Sequence, residues 1–383
     1  MRRNERTRGL FRAPKLLWDA MMKGRYHFVY DQIPFTMNRM SFAKRINLVK
    51  AGSNLVYRKL IPLNMPLHMQ FELTNYCNLR CPVCPTGVKS VNRKPRNMDV
   101  ELFQQVIDEV GPYLLTASLW AWGEPLLHPN LKRILAAIRR HDIAILLSTN
   151  GQKLDDEDVI NALVEEPPTH LIVAVDGLTD ETNSKFRVGA KLAPIIAGVR
   201  KIAEIKKQRN QTHPILHMRF IVMKHNQHQV ADLADFAKEN HFDFLTVRTL
   251  SIVDARTTET THQNFIPSQS EFQAYDYQGG ARFERKDYIC QEPFWFPTVL
   301  ADGTLVPCEQ DYNAQQSLGV INDSVSLKDL WFGRESSKIR KIIRDHPEEL
   351  SFCRNCPYRD REITDCSIKA HILNNRIDFP NLI

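Results

Sequence analysis

From Met69 onward, short apolar runs alternate with longer stretches whose apolar residues recur at helical spacing. Gln70–Thr74, Ala117–Trp122, Ala144–Thr149, His170–Asp176, Ile215–Met223 and Phe244–Leu250 predict six strands. His170–Asp176 is almost continuously apolar, as a strand buried on both faces should be. Between them, Val100–Val110 (with Asp99 as N-cap), Pro129–Arg140, Asp155–Glu165, Leu192–Gln208 and Gln227–Asn240 predict helices. Strict alternation of strand and helix predicts an α/β domain built on a parallel sheet over residues 66–250. Periodicity alone leaves an open sheet and a barrel as alternatives.

Outside this core the pattern changes. Residues 1–65 predict a helical extension, with Leu16, Leu17, Met21 and Met22 on one face and no evident strand. Residues 251–289 are polar and Gln-rich and read as a linker. In 290–383, Asp302-Gly303 signals a hairpin between Pro297–Leu300 and Thr304–Val306, and Ser326–Arg344 predicts a helix. That gives a second, smaller domain.

Charge separates these parts further. The net charge is +7, yet up to Leu60 there are 14 basic residues against Glu5, Asp19 and Asp31 alone. The remainder is mildly acidic, which argues against a nucleic-acid enzyme with its basic surface around the site. The basic extension suits either a plain helical cover under the core or a contact with an anionic membrane. No run is long and apolar enough for a bilayer span, and the basic start is not followed by a signal-like apolar stretch, so the expectation is a cytoplasmic protein with membrane association as an option.

The eight cysteines carry the chemistry. In a reducing compartment, clustered thiols imply metal binding or catalysis rather than disulfides. Cys77-Asn78-Leu79-Arg80-Cys81-Pro82-Val83-Cys84 packs three into eight residues directly after the first predicted strand. Soft sulfur ligands suit zinc, Cu(I) or iron–sulfur clusters. A structural zinc site takes four ligands, whereas three thiolates on a four-iron cube leave one iron open. Further on, Cys290, Cys308, Cys353 and Cys356 supply four more thiols around the predicted hairpin and after the helix, and Cys366 is left over. Zinc is the alternative for this second set as well.

The CxxxCxxC run after a first strand resembles the radical S-adenosylmethionine (SAM) superfamily. Other landmarks follow in order: Trp122-Gly123-Glu124-Pro125 ends the second strand, Ser148-Thr149-Asn150-Gly151 the third and Asp176-Gly177 the fourth. The resemblance implies a partial (β/α)6 barrel. It implies a [4Fe–4S] cluster on Cys77, Cys81 and Cys84 with SAM on the open iron. Gly123, Glu124, Pro125, Ser148, Asn150 and Asp176 are the implied SAM contacts, with Val83 at the adenine. Trp122 departs from the first Gly of the GGEP motif. The C-terminal cysteines resemble the SPASM/twitch extension of this superfamily, with an auxiliary [4Fe–4S] cluster on Cys290, Cys308, Cys353 and Cys356.

The resemblance implies reductive cleavage of SAM to a 5′-deoxyadenosyl radical, fed by a donor such as a flavodoxin or ferredoxin. The expected outcome is oxidation or epimerisation of a small molecule, sugar or lipid-linked metabolite. A peptide substrate ranks second, because peptide-modifying relatives often carry a larger leader-binding domain than this extension. A non-catalytic iron–sulfur electron carrier is the reading from another class. Arg187, Arg219 and Arg248 are candidates to face the cavity, and His128 reads as a helix-start residue.

Overall fold

A computed structural model describes residues 18–30, 33–252, 263–278, 281–282, 288–354, 356–361 and 366–374. Leu16 and Leu17 lie outside the described residues. After a short helix over residues 18–23 come strands β1 (Tyr26–Tyr30) and β2 (Ile33–Met37) and helix α1 (Phe42–Tyr57). The antiparallel β1–β2 pair corrects the expectation of a strandless extension. Its alternation places Phe35 inward against the His170 ring, 4.9 Å away, while Val29 faces solvent. Twelve residues are too few to show that period clearly in the sequence.

The core alternates as expected: β3 (His68–Phe71), α2 (Val100–Val110), β4 (Thr116–Ser118), α3 (Leu131–Arg139), β5 (Ala144–Thr149), α4 (Glu157–Glu165), β6 (His170–Ala174), α5 (Asp180–Phe186), α6 (Leu192–Gln208), β7 (Ile215–Val222), α7 (Leu233–Glu239) and β8 (Phe244–Thr249). Strands β3 to β8 pair in chain order and all in parallel. Asp99 caps α2 by accepting from the Leu102 N–H, as its position before the periodic run requires. Pro129 falls outside α3, whose N-cap is Asn130. Helix α5 was not anticipated. Its seven polar-rich residues carry a Thr179 cap but little apolar signal.

The C-terminal part extends the same sheet at both edges. After the short pair β9 (Tyr277–Gln278) and β10 (Ala281–Arg282), strand β11 (Thr298–Val299) joins β3 in parallel. Strands β12 (Thr304–Val306) and β13 (Gly319–Val320) continue it antiparallel. Gly303, at φ +83°, makes the β11–β12 turn that Asp302-Gly303 foretold. The predicted long helix is two, α8 (Leu327–Phe332) and α9 (Arg334–Asp345), divided at Gly333. After α10 (Ser351–Arg354), strand β14 (Ser367–Ile372) pairs antiparallel with β8. The order β13-β12-β11-β3-β4-β5-β6-β7-β8-β14 leaves β3 and β8 unpaired with each other, so the barrel stays open and its two edges are covered by later chain. In the stretch read as a linker, Phe272, Ala274 and Tyr275 are buried, so its described part is packed rather than free.

The floor of the barrel is aromatic. His68 opens β3, bonds through Nδ1 to Thr116 Oγ1 at 2.6 Å, and meets Trp295 edge-on at 5.1 Å. Burial among these rings lowers its pKa to about 4. A histidine whose folded pKa lies below its unfolded value stabilises the neutral state. That contribution is present above the unfolded pKa near 6.5 and is lost as pH falls toward about 4. The ring is only half-buried by surface, so the discounted contribution is about 2 kcal/mol. His68→Asn should therefore flatten the loss of stability on acidification across that window, read by urea unfolding of the metal-free protein.

Candidate active site

The strand ends at the mouth of the barrel are locked together before any ligand is considered. The chain leaves β3 through Glu72, which is fully buried. Its carboxylate accepts from Arg93 Nη2 at 2.5 Å and from the Ala301 N–H at 3.0 Å. One side chain thus joins the return of the cysteine loop to the β11–β12 hairpin. Farther along, Gly123 lies so close to Thr74 that an added Cβ would stand 2.0 Å from the Thr74 carbonyl oxygen. No other residue fits there without moving the loop that carries Cys77.

Glu124 is buried, and burial raises its carboxyl pKa against the pull of three donors. Oε1 accepts from Thr149 Oγ1 (2.6 Å) and the Leu126 N–H (3.1 Å), and Oε2 from the Asn150 N–H (2.8 Å). Glu124 therefore fastens the end of β4 to the end of β5. Pro125, also buried, opens the short 3-10 turn that follows. Glu124→Ala leaves these buried donors without partners, and we expect a loss of about 3 kcal/mol in urea unfolding of the metal-free protein. Glu124→Gln, which keeps an acceptor, should lose less.

The three loop cysteines gather against Leu79 and Ala190. The Cys84 N–H donates to the Cys81 carbonyl at 3.2 Å, and the Leu79 N–H to Cys77 Sγ at 3.4 Å. Asn150 Nδ2 donates to Asn78 Oδ1 at 2.8 Å and approaches Cys77 Sγ at 3.5 Å. Ser148 is half-buried on β5. Its neighbours Ile145 and Leu147 face the helices, so alternation turns Ser148 to the interior of the barrel. Val83 packs in an apolar pad with Phe186, Met223, Leu250 and Ile252.

Asp176 is fully buried and fully engaged. Oδ2 accepts from Arg187 Nε at 2.6 Å and Oδ1 from the Ile221 N–H at 2.8 Å, while its carbonyl accepts from Asn226 Nδ2 at 2.9 Å. Arg187 also lies close enough to the Cys81 thiol to lower its pKa. Burial opposes the guanidinium charge, but Asp176 and the thiols nearby hold its pKa above the ordinary arginine value. Burial raises the Cys77 thiol to about 12, with Glu124 adding to it, and Cys81 to about 11, where Arg187 opposes the shift.

A second set of thiols lies beside this mouth. Cys290, Cys308, Cys353 and Cys356 are near enough to raise one another's pKa, although burial is the larger cause for each. Cys356 stands at about 11. Trp122 spans the two sets: Nε1 donates to the Glu309 carbonyl at 2.6 Å, next to Cys308, and its own carbonyl accepts from Thr86 Oγ1. The departure from glycine thus supplies a strut between the barrel mouth and the C-terminal cysteines, which the motif comparison could not reveal. Cys366 is buried at the end of β8, where its carbonyl accepts from the Thr249 N–H at 2.8 Å.

The remaining candidates take other roles. His128 bonds Met98 O through Nε2 and accepts the Asn130 N–H at Nδ1, so both ring nitrogens are used in the α3 approach. Arg219 stacks on Trp120 at 5.9 Å. Arg361 and Arg248 both lie near enough to half-buried Glu309 to oppose the rise that desolvation gives its pKa, and sequence pattern gave no reason to single out that acid.

Two family profiles match the chain: the Radical SAM superfamily over residues 71–237 and the SPASM iron-sulfur cluster-binding domain over 290–357. The chain is a radical SAM protein with a SPASM domain. It is 25% identical over 324 residues to a tungsten-containing aldehyde ferredoxin oxidoreductase cofactor-modifying protein of Pyrococcus furiosus, covering 76% of this chain and 88% of that one. It is 21% identical over 336 residues to the PqqA peptide cyclase of Gluconobacter oxydans, covering 80% and 87%. Among solved structures, Streptococcus suis SuiB bound to S-adenosylmethionine shares the fold with a TM-score of 0.54 at 18% identity, over 82% of this chain and 76% of that one.

Membership in this family brings a SAM-binding [4Fe–4S] cluster, SAM itself and an auxiliary cluster. The donor sets fit such groups. Buried thiols with raised pKa values become thiolates only when cationic iron neutralises them. Among the described residues, no three His, Cys, Asp or Glu side chains are gathered tightly enough for a single metal ion.

Proposed function

We propose that this radical SAM enzyme modifies a peptide substrate. The observation that carries the proposal is the match to the PqqA peptide cyclase, which covers 80% of this chain and 87% of that protein. The small-molecule or lipid-linked substrate favoured by the sequence gives way on that ground. The β1–β2 hairpin also removes the argument from a strandless extension. The oxidation or epimerisation expected from sequence is not needed for this reading.

In this proposal Cys77, Cys81 and Cys84 hold the SAM-binding cluster, and Cys290, Cys308, Cys353 and Cys356 the auxiliary one. When bound, the reduced cluster and SAM supply a 5′-deoxyadenosyl radical that abstracts hydrogen from the substrate, with electrons from a flavodoxin- or ferredoxin-type donor. The chain's own residues do the positioning. Ser148 and Asn150 face the SAM site, and Val83 and its apolar pad receive the adenine. Glu124, Pro125 and Asp176 act by fixing the strand ends, because their polar atoms are already committed to the protein. Gly123 lets the loops close. Trp122 fixes the distance between the two thiol sets, and the apolar lining keeps water from a reactive radical.

The test is anaerobic. The reconstituted, reduced enzyme is given SAM and short peptides encoded beside its gene, and 5′-deoxyadenosine is measured together with peptide mass. A peptide that raises 5′-deoxyadenosine and itself changes mass supports the reading. Stimulation by a sugar or lipid-linked metabolite, with every peptide inert, overturns it.

A further inference from the structure

Helix α1 is inside out. Its inward residues Lys44, Asn47, Ala51 and Asn54 follow helical spacing, and three of the four are polar. Each polar one is consumed by backbone at the floor of the barrel. Lys44 Nζ donates to the carbonyls of His141 (2.7 Å) and Asp142 (2.6 Å). Asn47 donates to Met65 O at 3.1 Å and accepts the Met65 N–H at 2.8 Å. Asn54 donates to Phe294 O at 3.4 Å and accepts the Lys59 N–H at 3.1 Å. The outward stripe is Phe42, Val49 and Val56, each seven residues apart, with Phe42 and Val56 more than 70% exposed. Tyr57 at the helix end and Ile61 and Leu63 beyond it are exposed as well. Arg45 ties residues 18–23 alongside through the Met21 carbonyl, and there Trp18 and Met22 are exposed too.

Among the described residues, nine of the fourteen exposed large apolar side chains lie between Trp18 and Leu63. This is a surface concentration rather than scattered exposure, and such patches mark contact sites. Within this segment the exposed charge has one sign. Lys23, Arg25, Arg39, Lys50 and Lys59 are exposed. The one acid described in that range, Asp19, is buried and paired with Lys23 at 2.7 Å. A second copy of this face would bring the same positive charge against it. A bound peptide is held in a groove, whereas the outer stripe of a single helix is a convex ridge.

We infer that this face docks on an anionic lipid surface, with the apolar ridge entering the headgroup layer and the lysines and arginines meeting lipid charge. Because α1 covers the floor of the barrel, the cysteine mouth at the opposite end of the strands faces the aqueous side. The docked protein therefore meets its substrate from solution.

Flotation of the full chain with vesicles tests this and needs no cluster. The protein should float with mixed phosphatidylcholine–phosphatidylglycerol vesicles, stay behind with phosphatidylcholine alone, and be released by high salt. Phe42→Ser/Val49→Ser/Val56→Ser should abolish flotation while leaving the protein folded in a thermal melt, since Phe42 and Val56 are largely exposed and Val49 alone, 38% exposed, is partly covered. Lys50→Gln/Lys59→Gln should weaken partitioning on the order of thirtyfold. The inference is overturned if wild type ignores anionic vesicles. It is also overturned if the triple serine variant binds as well as wild type, or if wild type is instead a dimer that the serine variant dissociates. None of these results bears on the reading of the enzyme's chemistry.

Discussion

Replacing Cys77, Cys81 and Cys84 together by alanine should reduce 5′-deoxyadenosine formation to the level of the protein-free control. The expectation rests on number as well as identity. Three thiols from one loop are the minimum that holds a four-iron cluster while leaving an iron for SAM, so there is no redundancy to absorb a loss. The loop itself should survive, because its anchors are elsewhere: Glu72 to Arg93 and Ala301, Thr74 to the Glu124 carbonyl, and Asn75 Nδ2 to the Lys94 carbonyl. The metal-free variant should therefore melt close to wild type. Its iron content should fall but not vanish, because the second set of four thiols is untouched. Cys353→Ala/Cys356→Ala should show the complementary pattern, keeping the SAM-responsive cluster signal. SAM cleavage by the triple variant, or zinc in place of iron in the wild type, would sink the assignment.

The division between what sequence disclosed and what it hid follows the range of the interactions. The six parallel strands were legible because each is a buried run of at least three residues, bounded by turn chemistry and separated by helices of clear period. The Asp302-Gly303 hairpin was legible because only a local rule is involved. The cysteine sets were legible as chemistry because thiols cluster at short spacing. The β1–β2 hairpin hid because its inward residues, such as Phe35, are matched to a barrel floor assembled from residues more than a hundred positions away. The edge strand β14 hid for the same reason, its partner being β8, and β11 was legible as a hairpin strand while its pairing with β3 was not. At the site, Glu124 and Asp176 were recognised as important positions, yet their roles depend on where their oxygens are spent. Only the fold shows Thr149, Asn150 and Leu126 on one, and Arg187 and Ile221 on the other. Trp122 looked like a lost glycine and is a strut to Glu309.

Arg187→Leu should cost the metal-free protein about 3 to 5 kcal/mol, the range for breaking a buried ion pair from one side. Asp176 has no exposed surface, and the substitution would remove the guanidinium that meets its Oδ2 at 2.6 Å. The Ile221 N–H remains on Oδ1, but one amide does not neutralise a buried carboxylate. The double variant Asp176→Asn/Arg187→Leu should recover part of that loss, because the stranded charge is gone. Arg187→Lys should fall between, keeping a charge without the planar fork that meets Asp176 beside Cys81. Urea unfolding of wild type, Asp176→Asn, Arg187→Leu and the double variant gives the coupling directly. A coupling near zero would mean that Asp176 finds water or another cation when Arg187 is lost. A large one makes the pair a structural clamp: it holds the α5–α6 connection, through the bond from the Arg80 N–H to the Val188 carbonyl at 3.1 Å, against the loop that carries Cys81. The residue beside the thiol would then be held in place by the acid at the end of β6, and the mouth of the barrel would be preorganised before iron or SAM arrives.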